Sequence, residues 1–233
     1  MSLRRAGVAL ACTLLAGPVL AGCGGSDGPE ESAEDLLQRA KDTLDDAETV
    51  HFELDSEGAP DTGTLLVGGE GEVARPASFD GTLQVRVAGN TLDLDVVSVD
   101  GTVYALLPFA SSFDVIEPAD FGFGDPGELL DPETGISQLL AQADSAELGD
   151  ERRVGGEVVR EVTAELPGDL VEQILTSEDP SRPVEAQLSI ATGTGELRRV
   201  ELTGPFFSDE DSTFILELSD FGADVEITAP PTD

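Results

Sequence analysis

Tryptophan is missing from this 233-residue chain, and tyrosine, histidine and lysine occur once each, as Tyr104, His51 and Lys41. A single histidine excludes the paired-histidine metal sites and leaves His51 as the one imidazole base. Twelve basic residues against 48 acidic ones give a net charge of −36. A field of that sign repels nucleic acid and anionic lipid headgroups, so nucleic-acid binding is excluded. The two cysteines are Cys12 and Cys23. The sequence also lacks a G-x-S-x-G elbow, an H-E-x-x-H pair and a Walker loop.

The N-terminus carries the one long apolar run. Arg4 and Arg5 precede Ala6 to Leu20, which is interrupted only by Gly7, Thr13, Gly17 and Pro18. The run is too short and too poorly flanked for a durable membrane span, and reads as an export signal over residues 1–22. Leu20-Ala21-Gly22-Cys23 matches a lipobox. There the cysteine sulfur receives a diacylglycerol and the peptide is cut just before it. Lipidation at Cys23 and loss of Cys12 with the signal leave neither a free thiol nor a disulfide. Cleavage removes two arginines and no carboxylate, so the mature charge is 10 − 48 = −38. Membrane attachment must therefore come from the acyl chains.

Residues 23–31 form a lipidated linker rich in Gly, Ser, Asp and Glu. As a coil it spans about 15–20 Å, which keeps the folded part near the bilayer. A single domain is expected over 32–233. Ser32 and Asp35 signal a helix start, with Leu36, Leu37, Ala40, Leu44 and Ala47 on one face. From Val50 the period changes to two. Val50, Phe52 and Leu54 alternate with polar residues, as do Leu83, Val85 and Val87, then Leu92, Leu94 and Val96. Asp100-Gly101 turns into Thr102 to Leu107. Pro108 to Gly127 reads as a long irregular passage holding four phenylalanines.

Asp125-Pro126 and Asp131-Pro132 suit helix starts, the second placing Ile136, Leu139, Leu140 and Ala143 on one face. Asp169 to Thr176 predicts a third helix with Leu170, Val171, Ile174 and Leu175. Strands are expected at Glu147 to Arg153, Val158 to Leu166, Val184 to Ala191, Leu197 to Thr203, Thr213 to Leu218 and Val225 to Ile227. About ten strands and three helices without strict alternation describe an α+β domain, with helices on one face of a large antiparallel sheet that curls. Such packing leaves either a core or a cavity, and the pattern alone permits both.

Catalytic groups are scarce. A lone strand histidine such as His51 reads as structural, and Gly122-Phe123-Gly124 lacks the strand–helix context of a phosphate cradle. Asp93 and Asp95 share a strand face on which calcium is conceivable, but a solvated face is the simpler reading. The acidic turn Ser208 to Ser212 reads the same way. The expectation is a protein that is not an enzyme, with no cofactor and no metal.

Three segments carry a family resemblance: Asp100-Gly101-Thr102-Val103-Tyr104-Ala105, the stretch from Asp125-Pro126 through Leu129-Leu130-Asp131-Pro132-Glu133-Thr134-Gly135-Ile136, and the closing Val225 to Pro231. They resemble the LppX/LprA/LprF/LprG family of mycobacterial and actinobacterial lipoproteins, nearest its LprG branch. The resemblance implies a LolA/LolB-like fold, a strongly curved antiparallel half-barrel with helices on its concave face. It also implies a hydrophobic cavity for acyl chains of a glycolipid or triacylglycerol, moved outward across the envelope. By that likeness Leu83, Val85 and Val87 form a cavity-facing strand beside Leu92, Leu94 and Val96, with Leu129, Leu130, Ile136, Leu139, Leu140, Leu170 and Ile174 opposite. The passage from Phe109 to Phe123 departs from the family in composition.

The implied partners are an acylated lipid, the membrane through Cys23, and a membrane lipid transporter as a candidate. A monomer on the outer face of the cytoplasmic membrane is expected. The alternative is a cell-surface interaction module with a packed core and no lipid cargo. An enzyme acting on lipids through His51 ranks third.

Overall fold

In the computed structural model, the described residues are 31–232 except 155 and 209. The export signal, Cys23 and all of the linker but Glu31 lie outside them. The first element is helix α1, Ala33–Asp46. Its start is a reciprocal cap: Asp35 N–H donates to Ser32 Oγ at 3.1 Å, and Ser32 N–H donates to Asp35 Oδ2 at 3.3 Å. Ala33, Leu36, Leu37, Ala40 and Leu44 form its buried stripe.

Strands then follow almost without interruption: β1 Thr49–Glu57, β2 Thr64–Ala74, β3 Ser78–Val87, β4 Asn90–Val99, β5 Thr102–Leu106 and the two-residue β6 Asp114–Val115. The cover comes next, as 3-10 turns Pro118–Phe121 and Pro126–Leu130 and helix α2, Ile136–Ala141. After β7 Asp144–Val154 and β8 Glu157–Leu166 stands the short helix α3, Gly168–Val171, followed by β9 Val184–Ala191, β10 Leu197–Gly204 and β11 Ser212–Ser219.

All eleven strands join one antiparallel sheet in the order β6-β5-β4-β3-β2-β1-β11-β10-β9-β8-β7. The first and last long strands pair at its centre, with Leu54 opposite Leu216. The sheet stays open between β6 and β7 and curves into a half-barrel, with its helices on the concave side. Alternation sets the two faces. Phe52, Leu83, Val85, Leu94, Val96, Val162, Leu188, Val200, Phe214 and Leu218 are buried on the inside. Glu53, Asp55, Asp80, Asp93, Asp95 and Glu217 stand exposed outside.

Several elements differ from expectation. Strand β2 was not anticipated, because Gly68, Gly69 and Gly71 break its alternation. Those glycines answer a packing need. A Cβ on Gly71 would meet the Phe79 ring at 2.4 Å, and one on Gly81 would meet Glu70 O at 2.3 Å. Phe79 lies across this bare pair and stacks on Phe52 with centroids 5.5 Å apart.

Asp131-Pro132 does not start a helix. Asp131 Oδ1 instead accepts from Glu133 N–H, Thr134 N–H and Thr134 Oγ1, at 2.8, 3.0 and 3.1 Å, and α2 begins only after Gly135. The third helix stops after Val171, and the chain continues in turns to an isolated bridge between Leu175 and Phe123. Val225 to Ile227 is not a strand, since β11 is already paired on both edges, with β1 and β10.

Candidate functional site

Residues that alternate inward from the five central strands do not all meet the cover. Between them lies a cavity of about 340 Å³, inside the range of roughly 300–1,000 Å³ usual for small-molecule sites. Its floor is Leu83 of β3, Leu66 of β2, Phe52 and Leu54 of β1, Phe214 and Leu216 of β11, and Val200 and Leu202 of β10. Leu54 and Leu216 face each other across the central strand pair and are only half-buried although they point inward. Unfilled space above them accounts for that.

The roof comes from the middle of the chain: Phe123, Pro126, Leu129, Ile136, Leu139, Val171, Ile174 and Leu175. The Asp131 turn holds part of it in place. Gly135 N–H donates to Asp131 O at 2.8 Å, and a Cβ on Gly135 would lie 2.4 Å from Leu129 O and 2.7 Å from Asp131 O. Glycine at that position therefore lets the chain fold back tightly enough to aim Ile136 and Leu139 into the cavity. The Glu133 N–H bond to the Asp131 carboxylate, helped by Thr134 and Arg75, holds its pKa below the ordinary carboxylate value against the opposing effect of burial.

Behind the roof, α1 packs on α2. The last turn of α1 has no basic residue of its own. Arg75, from the β2–β3 connection, supplies one, donating from Nε to Ala47 O at 2.8 Å and from Nη2 to Leu44 O at 3.2 Å. Asp45 pairs with Lys41 there. Burial would raise its carboxyl, but the hydrogen bond from Lys41, the nearby Ser137 hydroxyl and the charges of Lys41 and Arg75 bring it below the ordinary value.

Of the residues named from sequence, Leu83, Leu129, Ile136, Leu139 and Ile174 line this cavity. Val85, Leu94 and Val96 point to the same side of the sheet but are fully packed in core toward the β6 edge. Val87 and Leu92 are half-buried near the β3–β4 turn. Leu130 and Leu140 are buried in the core, while Leu170 packs half-buried against it. Cys23 lies outside the described residues. The central strands β1, β10 and β11 contribute more of the floor than β4 does, and β2 adds Leu66. Their alternation is visible in sequence, but their central place depends on the pairing of β1 with β11.

Among the described residues, polar side chains reach the cavity only from the cover: Asp125, Glu128, Thr134 and Gln173. Glu128, Thr134 and Gln173 are exposed and mark the mouth, beside half-buried Leu129 and Ile174.

Elsewhere, His51 Nδ1 lies 2.8 Å from Glu72 Oε1, and Nε2 lies 3.8 Å from Glu53. His51, Glu53 and Glu70 keep ligand atoms within 4.8 Å of one another on the outer face, a set able to hold a cation. It stands apart from the cavity, with both carboxylates exposed to water.

The Lipoarabinomannan carrier protein LprG of Mycobacterium tuberculosis is 27% identical over 95% of this chain and 94% of its own length. The protein of that name in Mycolicibacterium hassiacum is 30% identical over 95% of this chain and 96% of its own. Among solved structures, LprF from Mycobacterium bovis superposes with a TM-score of 0.70 at 19% identity, covering 88% of this chain and 99% of that one. Lipoprotein LppX of Mycobacterium tuberculosis gives 0.62 at 16% identity, covering 84% and 98%. Both show the same fold. The model of the LppX_LprAFG lipoproteins matches residues 32–227, and the chain belongs to that family.

Proposed function

We propose that this protein is a lipid carrier of the cell envelope, tethered through Cys23 to the outer face of the cytoplasmic membrane. Its cargo is an acylated lipid, a glycolipid or an acylglycerol, whose chains lie in the cavity while the lipid moves outward. The observation that carries this reading is the apolar space left between Leu54, Leu216 and the roof. The relatives named as lipoarabinomannan carriers support it.

The energetics fit the role. Burial is worth about 0.8 kcal/mol per methylene, so one chain of ~15 methylenes represents ~12 kcal/mol of gross transfer. A carrier must offset most of that cost without holding the lipid irreversibly, and an apolar pocket with a wet mouth does so without catalytic groups. A monomer is sufficient, since one chain builds both floor and roof. A membrane lipid transporter is the natural source of cargo.

The test is solvent extraction of the purified protein followed by mass spectrometry, with thermal unfolding in the presence of added lipid. Acyl lipid in the extract and a raised midpoint on addition are expected. An empty protein that also ignores added lipid would overturn the proposal. Replacing Leu216 by Phe should cut lipid occupancy severalfold at little cost in stability, since the new ring enters existing space.

A further inference from the structure

The connection between β5 and β6 holds an apolar side chain in water on a strained backbone. Ala110 N–H donates to Leu107 O at 2.9 Å, closing a turn with Pro108 second and Phe109 third. Phe109 has φ +72°, in the left-handed region that this position of a proline turn ordinarily gives to glycine or asparagine. Its side chain is fully exposed, at 107%, and Pro108 and Ala110 beside it are exposed too. Val115 adds another exposed apolar side chain on the same hairpin. A lone apolar residue on a surface is ordinary. Here several adjoin, and no contact among the described residues offsets the backbone cost of Phe109. The stem is firm, since Leu107 and Ile116 pack against the core and Ile116 N–H donates to Val103 O at 3.0 Å.

Charge singles out the same place. Gly101 to Phe113 contains no Asp, Glu, Lys or Arg, the longest such stretch after the linker in a chain of net charge −36. Carboxylates return at Asp114 and Glu117, both exposed.

We propose that the Pro108-Phe109-Ala110 turn dips into the bilayer surface, as a second membrane contact besides the lipid on Cys23. The contact draws on the tether proposed above and is independent of the cavity. A coil of residues 23–31, spanning about 15–20 Å, would by itself let the domain turn freely above the membrane. A ring seated in the interface fixes which edge of the sheet faces lipid. The backbone suits an apolar medium: Pro108 has no N–H to desolvate, and that of Ala110 is already bonded. A bilayer asks for no directional partner, and the turn offers no charged or polar side chain with which to orient a protein surface. Burial of a phenylalanine ring favours the docked orientation about tenfold or more.

The full chain with its lipid anchor is reconstituted in phosphatidylcholine vesicles, whose heads carry no net charge to be repelled, and recovered by flotation. Phe109→Trp supplies a single fluorophore, because the sequence has no tryptophan. Leu148→Trp places the same probe at another exposed hydrophobic position, on β7 at the opposite edge of the sheet. In vesicles the emission of Phe109→Trp should lie to the blue of that of Leu148→Trp. Bromines on the acyl chains should quench the first and spare the second. Quenching should be strongest with bromines near the glycerol, for a ring about 5–10 Å below the headgroups. Phe109→Asn should leave the thermal midpoint unchanged or raise it, since asparagine accepts the left-handed backbone and no packing is lost.

Vesicles that float with the protein while Phe109→Trp stays unshifted and unquenched overturn the bilayer contact, leave the tether standing, and assign the ring to a protein partner. Equal quenching at both positions overturns the assignment to this turn. A chain that fails to float overturns the tether and the contact together. A midpoint lowered by Phe109→Asn overturns the contact as well, because the ring would then belong to the fold.

Discussion

Single atoms decide the shape of the roof. Gly135 sits where carbonyl oxygens of Glu128, Leu129 and Asp131 converge within 2.8 Å of the place a Cβ would occupy. Gly135→Ala should therefore cost about 1–3 kcal/mol, read as a lower urea midpoint, and should reduce lipid occupancy because Ile136 and Leu139 move with the strain. Asp45 offers a pH test. Its folded-state pKa lies below the ordinary carboxylate value. At higher pH it is ionised in both states and its contribution is complete. As pH falls through that value, the unfolded chain takes up the proton first, so stability is lost through and below it. Urea unfolding of the unmodified protein and of Asp45→Asn should differ most above pH 4 or so and converge in stronger acid. A constant gap across that range would show that the carboxylate charge is not what counts.

At the scale of elements, α1 and β2 depend on each other. The open carbonyls at the end of α1 are met by Arg75, delivered from the turn between β2 and β3. Arg75→Ala should lower stability by about 1.5–3 kcal/mol, the usual worth of hydrogen bonds to a charged group, visible as a lower thermal midpoint. Arg75→Lys should recover only part of it, because an ammonium lacks the planar fork that spans two carbonyls.

Legibility also varied by element. Helix α1 was readable because cap and apolar stripe lie within a few residues of each other. The strands with clean alternation were readable for the same reason. β2 was not, since the atoms that leave no room for a side chain at Gly68, Gly69 and Gly71 belong to the neighbouring strands β1 and β3, the Phe79 ring among them. The short β6 offers too few residues for a period. The expected helix at Asp131-Pro132 failed because the same residue pair serves equally well in a capped turn, and Gly135 selects the turn.

At the scale of the whole molecule, the outer face of the sheet is strongly acidic. Although Asp80 is exposed, partial desolvation of its carboxyl and the neighbouring charge of Asp95 raise its pKa, so its ionised form costs the folded state some stability at neutral pH. Asp80→Asn should raise the unfolding midpoint at pH 7, with the gain shrinking as pH falls into the carboxylate range. Sodium chloride should raise the midpoint of the unmodified protein as repulsion within a chain of net charge −36 is screened. A midpoint indifferent to salt would mean that the acidic residues are too well solvated to repel.

Export and lipidation signals, the alternation of strands, the first helix and the scarcity of catalytic groups can be read from local pattern, because each depends on residues close together in the chain. The D-P-E-T-G segment, residues 131–135, also carries the family resemblance in the sequence itself. Where the cavity lies could not be read that way. Val85 and Val96 alternate as regularly as Leu54 and Leu216, yet the first two are packed shut and the second two border open space. That difference arises because β1 pairs with β11, so the two ends of the chain form the floor while its middle folds over them. Pairing between residues more than 160 positions apart is a property of the folded chain, and the space it leaves unfilled exists only there.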